Sequence, residues 1–100
     1  MKKGVYSAYQ DGVIGTQRVV LFFHAKWCPE CRESDEELRT LYKENPPAIS
    51  TYKVDYDTAT ELKQRYGVVT QHTFVLLAAD GTALETVIGP SHDKLLSLLR

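Results

Sequence analysis

Hydrophobic and polar positions along this chain fall into blocks whose period switches between that of a strand and that of a helix. Arg18 to His24 carries Val19, Val20, Leu21, Phe22 and Phe23 in one unbroken β-branched and aromatic run, the pattern of a strand covered on both faces. From Pro29 the period lengthens: Cys31, Ser34, Leu38, Leu41 and Tyr42 fall on one helical stripe, with Glu33, Asp35, Glu36, Arg39 and Lys43 expected to face water. Pro29 suits the first helical turn, where its missing N–H is no loss, and Pro46-Pro47 ends the helix. Ile49 to Asp55 reads as a strand. Thr58-x-x-Glu61 predicts a capping box ahead of Leu62 and Tyr66, with Gly67 at a left-handed C-cap.

His72 or Thr73 to Ala79, an Asp80-Gly81 turn and Thr82 to Ile88 predict a hairpin. Ser91 is placed to cap a last helix carrying Leu95, Leu96, Leu98 and Leu99. Gly4 to Gln17 is weakly patterned and predicts a short strand around Val5–Tyr9 followed by a loop. The order predicts an α/β fold: one mixed sheet of four to five strands, parallel across the first crossover, antiparallel at the hairpin, with helices on both faces. A chain of 100 residues holds one such domain, spanning 1–100.

Composition narrows the function classes. A chain that is 43% hydrophobic and 25% charged is not disordered, and a net charge of −1 provides no footprint for nucleic acid or an anionic membrane surface. The longest apolar runs, Val19–Phe23 and Phe74–Ala79, are too short to span a bilayer. Met1-Lys2-Lys3 has the charge of a leader peptide's head, but no apolar stretch follows it. A cytoplasmic monomer is the default expectation, with an extracytoplasmic location open if a leader has been removed.

The chain has two cysteines, Cys28 and Cys31. A bridge between them closes a tiny loop and removes little unfolded-state entropy, so it makes a poor brace; chemistry is the better reading. Cys28 falls at the end of a buried strand and the start of a helix, where unpaired N–H groups and the helix dipole favour a thiolate nucleophile. Cys31 falls one turn deeper, shielded from solvent and placed to resolve a mixed disulfide. The same spacing makes half of a zinc site, yet no second pair exists, and His24 and His72 are the only nearby donors to invoke.

The stretch Val20-Leu21-Phe22-Phe23-His24-Ala25-Lys26-Trp27-Cys28-Pro29-Glu30-Cys31 resembles the strand and active-site segment of the thioredoxin family. Val54-Asp55, Tyr66-Gly67-Val68, Thr73-Phe74-Val75 and Gly89 match further landmarks of that family, in order, from about Arg18 to Arg100. The resemblance implies a thioredoxin fold and a thiol-disulfide oxidoreductase without a cofactor, acting on protein or small-molecule disulfides together with a redox partner. It places Trp27, Pro29, Glu30, Gln71, His72, Thr73 and Gly89 around the cysteine pair.

The chain departs from the family pattern in several places. The family's Gly-Pro between the cysteines is Pro29-Glu30 here, a proline placement similar to that of glutaredoxins. Its buried aspartate maps to Phe22, and its opening strand and helix are shortened. Its cis-proline maps to His72, where a cis bond after Gln71 would cost about 3 kcal/mol, so a trans loop is expected. Glu30 either repels a thiolate on Cys28 or sits in water, and Glu30, Glu33, Asp35, Glu36 and Glu37 read as a solvated helix face. His72 is placed to stabilise the thiolate, to shuttle a proton, or to lie in solvent as a bystander. Two other functions stay open on sequence alone: metal or iron–sulfur binding through Cys28, Cys31 and His72, and a non-catalytic docking module.

Overall fold

The unbroken apolar run at Val19–His24 becomes the middle strand of a five-stranded sheet, and its Val19 to Phe23 side chains are 0–1% exposed. The computed structural model describes residues 3–100; the first two residues of the leader-like start, Met1 and Lys2, lie outside the described residues. The elements are β1 (Tyr6–Ala8), β2 (Val19–His24), α1 (Pro29–Glu44), β3 (Ser50–Asp55), α2 (Thr60–Tyr66), β4 (Thr73–Leu77), β5 (Ala83–Ile88) and α3 (His92–Leu98). The sheet order is β1-β3-β2-β4-β5. The β1–β3 and β3–β2 pairings are parallel, while β2–β4 and β4–β5 are antiparallel.

Side chains alternate across β2 and so feed two cores. Val20 and Phe22 join Leu38 of α1 and Leu95, Leu98 and Leu99 of the last helix and its cap. Val19, Leu21 and Phe23 face the other way, where Leu62 and Tyr66 of α2 pack against them. Phe22 stacks on Phe74 of β4 with ring centroids 4.4 Å apart. Burying an aromatic or aliphatic side chain of this kind contributes about 1.5–3 kcal/mol, so the central strand is the chief source of cohesion. Gly4 lets the N-terminal segment lie against the chain beyond α1: a Cβ there would sit 2.8 Å from the Ile49 carbonyl group and from the Pro47 oxygen.

Two local expectations are corrected. The Thr58-x-x-Glu61 capping box does not form: α2 starts at Thr60, its N-cap is Ala59, and no side chain caps it. Asp55 governs this turn instead, its carbonyl accepting from the N–H groups of Thr58 and Ala59 and its carboxylate from that of Asp57. Asp35 does not face water but is 5% exposed. The register explains why, because Phe22 lies beside Lys53 in the parallel β2–β3 ladder, which puts the lysine on the α1 face of the sheet. A cation on that face needs an anion, and Asp35 supplies it, accepting from Lys53 Nζ at 3.3 Å, Arg39 at 2.6 Å and the Tyr6 hydroxyl. Burial pushes the Asp35 carboxyl up, but these donors outweigh it and hold the group below the usual carboxylate range.

Because Asp35 titrates lower in the folded chain than in the unfolded one, its stabilisation is complete above the ordinary carboxylate range. It is lost as the pH falls through the native value. Asp35→Asn is expected to lower stability at neutral pH by about 1–3 kcal/mol and to flatten the acid side of the stability–pH curve. Urea unfolding of parent and variant across acid pH measures both; superimposable acid limbs would remove Asp35 from this role.

Candidate active site

β2 delivers the chain to the site, and a tight turn at Ala25–Trp27, closed by Cys28 N–H donating to the Ala25 carbonyl at 3.0 Å, hands it to α1. Cys28 is the N-cap of α1, with extended backbone at φ −95° and ψ 114°, and Pro29 takes the first helical turn. Its sulfur accepts the backbone N–H of Cys31 at 3.2 Å. One of the helix's free N–H donors is therefore aimed at the atom that must carry negative charge.

Cys31 is shielded from solvent, 0% exposed, as the sequence reading expects, but Cys28 is more covered than expected, at 2%. The reason lies in the cap, since the Cys28 side chain folds back over the first helical turn instead of projecting outward. Burial pushes the Cys31 thiol well above its ordinary value, the neighbouring Cys28 adds to this, and backbone groups of Ala25 and His72 work in the opposite direction. Glu30 is exposed, yet its carboxylate lies 3.8 Å from the Cys28 sulfur, within reach of the S–H when the thiol is protonated.

Around the pair, Trp27 is 55% exposed, and its indole N–H donates to both carboxylate oxygens of Asp57 at 3.0 and 3.1 Å. His72 lies over the start of α1: its Nε2 is 2.7 Å from Ser34 Oγ, and its ring packs against Phe22 and Phe74. The Gln71–His72 bond is trans, as expected, and His72 adopts a left-handed φ of 62°. Its N–H donates to the Phe23 carbonyl and its carbonyl accepts the Gly89 N–H, both at 2.9 Å. Gly89, itself at φ 57°, lies against the imidazole, and a Cβ there would be 3.5 Å from Nδ1.

Two predicted neighbours do not turn their side chains to the cysteines. Thr73 is buried and donates to the Thr70 carbonyl at 2.8 Å, and the Gln71 side chain accepts from Thr70 Oγ1 at 3.0 Å. Sequence reasoning missed Asp57, for which a turn residue gives no signal. It also missed Ser34 as a partner of His72, although a polar residue on the buried stripe of α1 was the available clue. His24 is half-buried with its Nε2 enclosed and unpartnered, and His92 is on the surface, paired with Glu37. Among the described residues no group of three His, Cys, Asp or Glu side chains stands together as a metal site would require, so the metal-binding alternative is not favoured.

The match to the thioredoxin family model runs over residues 2–100. The chain belongs to the thioredoxin family. It is similar to thioredoxin-1 of Drosophila melanogaster, with 31% identity over 81 residues that cover 81% of this chain and 75% of the relative. Among solved structures, it superposes on the thioredoxin of Malassezia sympodialis with a TM-score of 0.78 at 27% identity, covering 96% of this chain and 90% of the other. A variant thioredoxin from Halobacterium salinarum gives 0.76 at 28% identity, covering 97% and 88%. With Cys28 and Cys31 in the family's Cys-x-x-Cys place, this thioredoxin is an enzyme, a thiol-disulfide oxidoreductase.

Proposed function

We propose that this thioredoxin reduces disulfides in protein substrates, with Cys28 as the attacking sulfur and Cys31 as the resolving one. The observation that carries the reading is the Cys31 N–H donated to the Cys28 sulfur at 3.2 Å, which marks Cys28 as the atom prepared for negative charge. The Cys28 thiolate attacks one sulfur of the substrate disulfide; a mixed disulfide forms and the first substrate thiolate leaves. Cys31, deprotonated, then attacks the Cys28 sulfur of that mixed disulfide. The Cys28–Cys31 bridge forms, the second substrate thiolate departs, and two electrons have passed to the substrate. A reductase partner returns them.

An apolar rim favours a protein over a small molecule. Trp27, Val69 and Ile88 stay 55%, 84% and 62% exposed, on the segments that lead into Cys28, into His72 and into Gly89.

Turbidimetric reduction of insulin by dithiothreitol tests the assignment. Cys28→Ser is expected to abolish the accelerated reduction. Cys31→Ser should retain the first attack and accumulate a mixed disulfide visible as an added mass on the intact protein. A Cys28→Ser protein that reduced insulin as fast as the parent would overturn the reading.

A further inference from the structure

The resolving step needs a thiolate at Cys31, yet that sulfur is fully buried and its proton has no evident destination. At the strand position where the family keeps an acid stands Phe22, stacked on Phe74. The buried carboxylate of this face, Asp35, is already held ionised by Tyr6, Arg39 and Lys53 and so is a poor proton acceptor near neutral pH. Two imidazoles remain, His24 and His72, and burial lowers both from their ordinary value, so each is neutral and able to accept.

Geometry separates them. Nothing connects His24 Nε2 to a partner. His72 is tied to the helix that carries the cysteines: its Nε2 is 2.7 Å from Ser34 Oγ, and Ser34 follows Cys31 by three residues on the buried stripe of α1. Side chains at that spacing have Cβ atoms about 5–6 Å apart, a gap that a rotamer change of two short side chains closes. A serine hydroxyl both donates and accepts, so it can pass a proton on. The left-handed backbone of His72, unusual for a residue other than glycine, is held by hydrogen bonds to Phe23 and Gly89, and this fixes the ring over the first turns of α1.

We propose that His72, acting through Ser34, takes the proton of Cys31 as that sulfur attacks the mixed disulfide. The proposal rests on the roles assigned above to the two cysteines. The Cys31 proton passes to Ser34 Oγ while the Ser34 proton passes to His72 Nε2. The Cys31 thiolate displaces the substrate thiolate from Cys28, and the imidazolium later gives its proton to the departing thiolate or to water. No electrons move beyond the two of the exchange itself. The charged groups facing the imidazole are Glu30 and Glu33 of α1, which favour its protonated form and so help it to hold the proton briefly.

A single-turnover reaction of the reduced protein with dithiobis(nitrobenzoate) reads the two steps in order, because Cys28 releases the first thionitrobenzoate and Cys31 the second. His72→Gly keeps the left-handed backbone without strain, and Ser34→Ala removes the relay. Each is expected to slow the second release by about 10²-fold, the scale of general-base assistance, and to leave the first within about twofold. The pH profile of the second release should lose its inflection in the imidazole range, and added imidazole should restore the rate of His72→Gly but not that of Ser34→Ala. His24→Asn should leave both phases as they are. An unchanged second release in both variants, an equal slowing of both phases, or failure of imidazole to restore the rate would overturn the proposal. A fast first release that survived Cys28→Ser would instead fail the assignment of the cysteines.

Discussion

The bond from the Cys31 N–H to the Cys28 sulfur ties the reactive atom to the secondary structure. For it to exist, β2 must end at His24, the turn must close on Ala25, and α1 must begin at Pro29. Sulfur is a weaker acceptor than the oxygen of a serine or aspartate cap, so the helix start gains little stability from it. The helix is held by its inner face instead, where Cys31, Ser34, Asp35 and Leu38 are buried over 16 residues. Because packing secures α1, its first N–H groups are free to serve chemistry.

A second constraint follows from Phe22. The strand carries an aromatic stack where the family carries an acid, and the core beside the cysteines gains apolar contact there. Lys53 nevertheless remains on the same face, level with Phe22 in the ladder. The carboxylate that neutralises it comes from the helix, as Asp35, with Tyr6 of β1 completing the set. Charge balance is kept while the acid is moved and fully engaged. That separates two jobs, countering the half-buried lysine and accepting protons.

Most of the architecture was legible because it is written in periodicity. The Val19–Phe23 run, the α1 stripe and the Ser91 cap all fall where the pattern puts them, and Gly67 adopts the left-handed φ of 66° expected of it. The errors arise where tertiary partners decide. Asp35 has the helical phase of a residue near the edge of the apolar stripe, and only the β2–β3 register, which brings Lys53 to that face, shows that it is drawn inward. The capping box at Thr58 lost to Asp55, whose side chain and carbonyl organise the preceding turn. The Cys-x-x-Cys site could be read from spelling and position, whereas the Trp27–Asp57 and His72–Ser34 bonds join segments 30 and 38 residues apart and leave no local trace.

The histidine in place of proline is also held by the backbone around it. The family resemblance implies that backbone groups of this loop pair with a bound peptide. In this chain the His72 N–H is engaged by Phe23 and its carbonyl by Gly89, while the Thr70 carbonyl is engaged by the Thr73 hydroxyl. Gln71, one residue before the ring, takes part in none of these bonds. Gly89 completes the arrangement: its positive φ favours glycine, and the imidazole lies in ordinary contact range of the place a Cβ would take, 3.5 Å from Nδ1. Through Ser34, at 2.7 Å from Nε2, the imidazole is joined to the helix that carries both sulfurs.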